Sequence, residues 1–166
     1  MSERTQQLVS VAQLLGLSGA SALSAYIASF SLIGIPACQM APIDLQAKQW
    51  SRIYHIGKDS VPPFAIALSG SFAFLAYHFR HAQGRFPIPP VVLYSLAAVL
   101  PPSVVGFTFT VMWNGVQALE AKAAGNADAP SEAETKSLVA KWKVQNYVRS
   151  AIVGSAAVLG AVALLS

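Results

Sequence analysis

Charge is what this chain has least of. Of 166 residues only 11% are Asp, Glu, Lys or Arg, against about 25% in a soluble globular domain. Cysteine is almost missing too. The single Cys38 excludes an intrachain disulfide and a cysteine-based metal cluster, and with them a claudin-type scaffold, whose extracellular disulfide needs two. No G-x-S-x-G, H-E-x-x-H, phosphate-binding or dinucleotide-binding fingerprint occurs, so hydrolase, NTPase and nicotinamide chemistry have no support. The net charge of +4 does not point to nucleic acid, because the basic residues flank apolar runs instead of clustering on one face.

What fills the chain is apolar: 54% of residues are hydrophobic. No charge falls in residues 5–43, 60–79, 86–119 or 150–166, and about 20 apolar residues cross a bilayer. These four stretches predict an all-α, multi-pass integral membrane four-helix bundle in one domain, 1–166, with spans at about 8–34, 60–79, 88–117 and 147–165. The N-terminus has no basic n-region, so a cleaved signal peptide is not expected. The first stretch carries Gly16, Ser18, Gly19, Ser21, Ser24, Ala25, Ser29 and Gly34, the small residues of close helix packing in lipid. Gly34 and Pro36 offer it a stop.

Residues 43–58 read differently. Ile43, Ala47, Trp50, Tyr54 and Gly57 share one helical face and Asp44, Lys48, Arg52, His55 and Asp59 the other. This predicts an interfacial amphipathic helix after the first span, with Pro62-Pro63 opening the second. Pro101-Pro102 predicts a break in the third span, because the prolines free carbonyls one turn earlier. Residues 120–137 read as a loop, and a last helix is expected from about 138 to 165, its first turns outside the hydrocarbon. With four spans, Arg4, Arg80 and Arg85 lie on one side. Eight other basic residues lie on the opposite side, which predicts that the two larger loops face the cytoplasm.

The polar residues that break this pattern are the site candidates. Trp142, Asn146 and Arg149 fall on one stripe of the last helix with Val139 and Val153, and a polar group on an inward apolar face needs a partner or a function. Arg149 has a bland alternative, snorkelling to lipid phosphate or pairing with Asp44. Asn114 closes the third span at the same membrane level, and Trp50 and Tyr54 arrive there from the amphipathic helix. An aromatic belt accounts for the tryptophans and tyrosine but not for the asparagines. His55 has Asp59 one turn on and is a candidate base with a solvated-face alternative. His78 and His81 could share a metal, but a helix crossing the bilayer separates them from His55, and beside Arg80 and Arg85 they fit an interfacial basic turn.

The order W-x-x-x-Y-x-x-G at Trp50, Tyr54 and Gly57, then Asn114, then W-x-x-x-N-x-x-R at Trp142, Asn146 and Arg149 resembles the anthrone oxygenase family of small four-span membrane proteins. The resemblance implies an oxidoreductase, a monooxygenase of polyketide secondary metabolism that converts an anthrone to an anthraquinone with O2, and an endomembrane location of ER type if the source is fungal. Carried over, it marks Arg149, Asn146 and Tyr54, with His55 added from the residues themselves, as catalytic, and Trp50, Asn114 and Trp142 as substrate-binding. The expected partners are a small aromatic polyketide and the lipid bilayer, with self-association left open. No cofactor is expected beyond O2 as co-substrate, because an anthrone anion can itself reduce dioxygen. Two alternatives stay open: a copper- or iron-dependent membrane oxidase, and a non-enzymatic four-span scaffold or carrier.

Overall fold

In the computed structural model, which describes Ser2–Arg85 and Pro87–Ser166, four long helices account for most of the chain. They are α1 (Glu3–Cys38), α2 (Ile43–His78), α3 (Pro90–Ala124) and α4 (Glu132–Leu165). Each is long and apolar enough to cross a membrane. Among the described residues there is no strand. Each helix packs along its neighbour in sequence, and α1 closes the ring against α4, giving an up-down-up-down bundle. Leu14, Ile66, Val99 and Val158 point outward and are 63–67% exposed, the inverse of a soluble bundle's surface and what a lipid solvent requires.

The small residues of α1 do what their pattern predicts. Gly16 receives the Phe72 ring and Gly19 the Leu68 side chain from α2. Ser24 and Ser150 tie α1 to α4 reciprocally, the hydroxyl of each donating to the other's carbonyl (2.8 and 2.9 Å).

Four boundaries differ from the sequence reading. The amphipathic segment is helical, with Ala47, Trp50, Tyr54 and Gly57 buried and Asp44, Lys48, Arg52, His55 and Asp59 exposed as expected. It is not a separate helix, however, but runs unbroken through Pro62 and Pro63 into the second apolar stretch. The third stretch is likewise helical through Pro101-Pro102. One proline deletes one hydrogen bond while its fixed φ stays helical; leaving the helix in an apolar medium would strand many more backbone groups. For the same reason α1 continues past Gly34 and Pro36 to Cys38, and the irregularity is spent inside the helices. Two π-helical turns, Phe30–Gly34 in α1 and Thr108–Met112 in α3, carry it.

The expected loop 120–137 shrinks to residues 125–131. Gly125 adopts φ +74° and caps α3 in the left-handed conformation open to glycine. Ser131 then opens α4 with a capping box: its hydroxyl accepts from the Glu134 N–H (3.3 Å) and the Glu134 carboxylate accepts from the Ser131 N–H (2.8 Å). Lys122, at the end of α3, pairs with Asp44 at the start of α2 (3.2 Å). At the opposite end, the Arg85 N–H donates to the Ser166 carbonyl (3.0 Å), which ties the 79–89 connection to the end of α4.

Buried side chains form two clusters. The larger contains Phe72, Tyr94 and Val153, and the smaller gathers Ile35, Trp50, Tyr54, Met112, Leu119, Val139 and Trp142 toward the charged-loop end. The polar residues of interest lie where these two clusters meet.

Candidate active site

Asn146 is fully buried, so its amide must be satisfied within the protein. Its Nδ2 donates to the Ile27 carbonyl (2.8 Å) and to Ser31 Oγ (3.1 Å), and its Oδ1 accepts from Arg149 Nη1 (3.1 Å). Ser31 in turn donates to the Lys143 carbonyl (3.0 Å). Asn146 therefore clamps the first π turn to α4 and spends its remaining oxygen on aiming Arg149. Next to it, Gln145 Nε2 donates to the Val111 carbonyl in the second π turn (3.3 Å). Adjacent amides of α4 thus hold both irregular turns, and π turns of this kind concentrate at functional sites.

Arg149 is not paired with Asp44, which Lys122 engages; it is half-buried, with its Nε enclosed and without a hydrogen-bond partner. Together with Tyr54, Trp142 and Asn146 it lines a narrow cleft of about 80 Å³, well below the roughly 300–1,000 Å³ of an open small-molecule site. The other walls are mainly apolar and come from α1, α2 and α3, including Ile27, Phe30, Ile53, Val61, Val105 and Phe109. Polar groups enter from Arg149, Asn146, Tyr54, Lys58 and Thr108. Both π turns reach the cleft, one through Phe30 and the other through Thr108 and Phe109. Gly57 makes room for that arrangement, because a Cβ there would stand 3.2 Å from the Phe30 ring.

The remaining predicted residues divide. Trp50 is fully buried behind the cleft, stacked on Tyr54 (centroids 5.5 Å, planes at 6°) and edge-on to Trp142 (5.8 Å, 86°). It packs against two wall residues and does not itself line the cleft. Asn114 is exposed and lines a separate recess with Gly115, Lys141 and Gln145, on the other side of Trp142. Thr108, one turn after Val104, continues the inward face of α3, and Asn114, six residues on, stands about 120° off that face at about 100° per residue. His55 lies outside the cleft as well, in a second recess that shares Tyr54 and Lys58 with the first. Its acidic neighbour is Glu120 at 3.5 Å, not Asp59.

Phe30, Ser31, Thr108 and Glu120 escaped the sequence reading. Ser31 sits among the small residues of the first stretch, and Glu120 was hidden by placing residue 120 in a loop. His55 and His78 stand 23 residues apart on one helix, about 35 Å at 1.5 Å per residue. Among the described residues no three His, Cys, Asp or Glu side chains are grouped as metal ligands.

The family model described as anthrone oxygenase matches residues 50–159, from Trp50 to beyond Arg149. An anthrone oxygenase of Paecilomyces divaricatus, AgnL2, is 30% identical over 156 residues, covering 90% of this chain and 92% of the relative. An anthrone oxygenase of Claviceps purpurea is 28% identical over 118 residues, 68% of this chain and 63% of the relative. No solved structure matches. Family match, near full-length similarity and a cleft built on the Trp142, Asn146 and Arg149 stripe lead to one conclusion: this chain belongs to the anthrone oxygenase family and, with it, among the oxidoreductases.

Proposed function

We propose that the protein oxidises an anthrone of polyketide secondary metabolism at its central methylene, giving the anthraquinone and water from one O2. The observation that carries this reading is a guanidinium, aimed by a fully buried asparagine, at the edge of a mainly apolar cleft. Its aromatic and apolar walls suit a flat three-ring ketone, which must part them to enter, since the cleft at about 80 Å³ is narrower than such a molecule. Its rings rest against Phe30, Phe109 and Trp142, and its carbonyl oxygen faces Arg149.

The chemistry follows from the substrate. Removing a methylene proton gives an aromatic anthranolate whose negative charge rests on the former carbonyl oxygen. Arg149 stabilises that oxyanion in a site of low dielectric. The anion passes one electron to O2; superoxide and the ring radical combine to form a C–O bond, and protonation gives the hydroperoxide. Loss of the second methylene proton with cleavage of the O–O bond releases water and leaves the quinone. Both methylene hydrogens end in water, and no step is routed through a metal.

The test is turnover by the protein in membranes or detergent, supplied with an anthrone. One O2 consumed per quinone formed, at a rate well above autoxidation and unchanged after exhaustive chelation, is the expected result. A rate equal to autoxidation overturns the substrate assignment. One tightly bound copper or iron per chain, with activity lost on its removal and regained on its return, overturns the metal-free route.

A further inference from the structure

Tyr54 and Lys58 stand between two recesses. One is the cleft of Arg149. The other opens toward the charged-loop end, lined by His55, Trp113, Gln117, Glu120 and Asn126 among others. Glu120 lies on α3 and faces α2 across this second recess. Its Oε2 accepts from Ser51 Oγ (3.0 Å) and lies 3.5 Å from His55 Nε2, while its Oε1 is enclosed without a hydrogen-bond partner. A half-buried carboxylate held in place beside an imidazole orients the ring and offers a counter-charge to a proton arriving on it. The edge of the His55 ring meets Tyr54, with centroids 5.6 Å apart. Cleft, phenol, imidazole and carboxylate thus follow one another toward the open recess.

We infer that Glu120 is a positioning residue that holds His55 as the acceptor of the proton leaving the substrate, with Tyr54 as the relay between the recesses. The inference rests on the anthrone reading above. In the proposed step the methylene C–H bond breaks and its electron pair moves into the ring system and out to the oxygen at Arg149. The proton goes to the Tyr54 oxygen as the phenolic proton passes to His55. Tyr54 ends neutral, and His55 ends cationic opposite the Glu120 carboxylate. The proton is given back when the peroxide anion is protonated to the hydroperoxide, and the second methylene proton joins the hydroxide released as the oxygen–oxygen bond breaks. Separating the cation of the relay from the oxyanion at Arg149 keeps the first charge out of the cleft where the second develops.

Hydrogen exchange without oxygen isolates this step. Under anaerobic conditions in D2O, wild-type protein is expected to speed loss of methylene protium from an anthrone, read by mass spectrometry, and under air to oxidise it. Glu120→Gln is expected to lower both exchange and kcat by about 100-fold with KM within about threefold. Glu120→Asp should recover a good part of each, and Asp59→Asn should match wild type. A wild-type rate of exchange and oxidation in Glu120→Gln overturns the role of Glu120 and leaves the oxygenase reading standing. Equal losses in Glu120→Gln and Glu120→Asp with a raised KM mark Glu120 as structural and overturn it too. Wild-type protein that neither exchanges nor oxidises an anthrone overturns the oxygenase reading, and this inference falls with it.

Discussion

Replacing Arg149 by alanine removes the one guanidinium that reaches the cleft. Its hydrogen bond to Asn146 uses a single N–H of Nη1, so the rest of the fork is left for an anionic oxygen in the cleft. Losing an oxyanion donor of this kind costs about 2.7–4 kcal/mol in the transition state, a fall in kcat of roughly 100- to 1,000-fold. The fold should change less, because two effects oppose each other. Asn146 Oδ1 loses its donor in a fully buried position, at about 1–3 kcal/mol. Against this, a half-buried cation with an unpartnered Nε no longer has to be kept from water. Arg149→Lys keeps the charge without the planar fork and should fall between alanine and wild type. Initial rates of quinone formation, normalised to folded protein and paired with oxygen uptake, make the comparison. Lys141→Ala, an exposed change on the same helix, is the control. If Arg149→Ala turns over within about threefold of that control, far less than the loss of an oxyanion donor would cause, the anion-site reasoning is refuted.

Gly160→Ala should destabilise the bundle without disabling the site. A Cβ there would stand 2.7 Å from Phe72 Cε1 and 3.1 Å from Leu17 Cδ2, and Phe72 is fully buried and already pressed against Gly16. The expected cost is about 1–3 kcal/mol, read as a lower Tm in detergent; an unchanged Tm refutes the close-packing account of that helix pair. The capping box gives a pH prediction. The Ser131 backbone N–H, and then its hydroxyl, hold the Glu134 carboxyl below its ordinary value. A depressed carboxyl contributes stability that is present above the unfolded value of about 4.3 and lost as pH falls through the folded one. Ser131→Ala should therefore increase amide exchange in the first turn of α4 near neutral pH, and the difference should shrink in acid; a difference that grows in acid is the wrong sign.

The four charge-free stretches were sufficient to specify the bundle, because a long uncharged run has few stable states besides a lipid-facing helix. The stripe Trp142, Asn146 and Arg149 was legible for a related reason: a regular helix obeys a fixed 100° step, so three residues of α4 could be placed on one inward face before any partner was known. Asn114 was placed by its level at the end of the third span and not by that step, and it lines a separate recess, while the α3 wall of the cleft is Val105, Thr108 and Phe109. The π turn at Thr108–Met112 is held by Gln145 from another helix, so nothing in those five residues announces it. Proline signals were misread for a comparable reason. Their local preference is to end a helix, but in lipid the alternative costs more backbone hydrogen bonds than the prolines remove. Local periodicity and the solvent thus determined which residues face inward on each regular helix. Only the packing of α4 against the two π turns and of α3 against α2 decided which of them meet: Asn146 with Ile27 and Ser31, Arg149 with Asn146, and His55 with Glu120 in place of Asp59. These pairings join residues 65 to 119 positions apart, except for Arg149 with Asn146, and no local rule reaches across that distance.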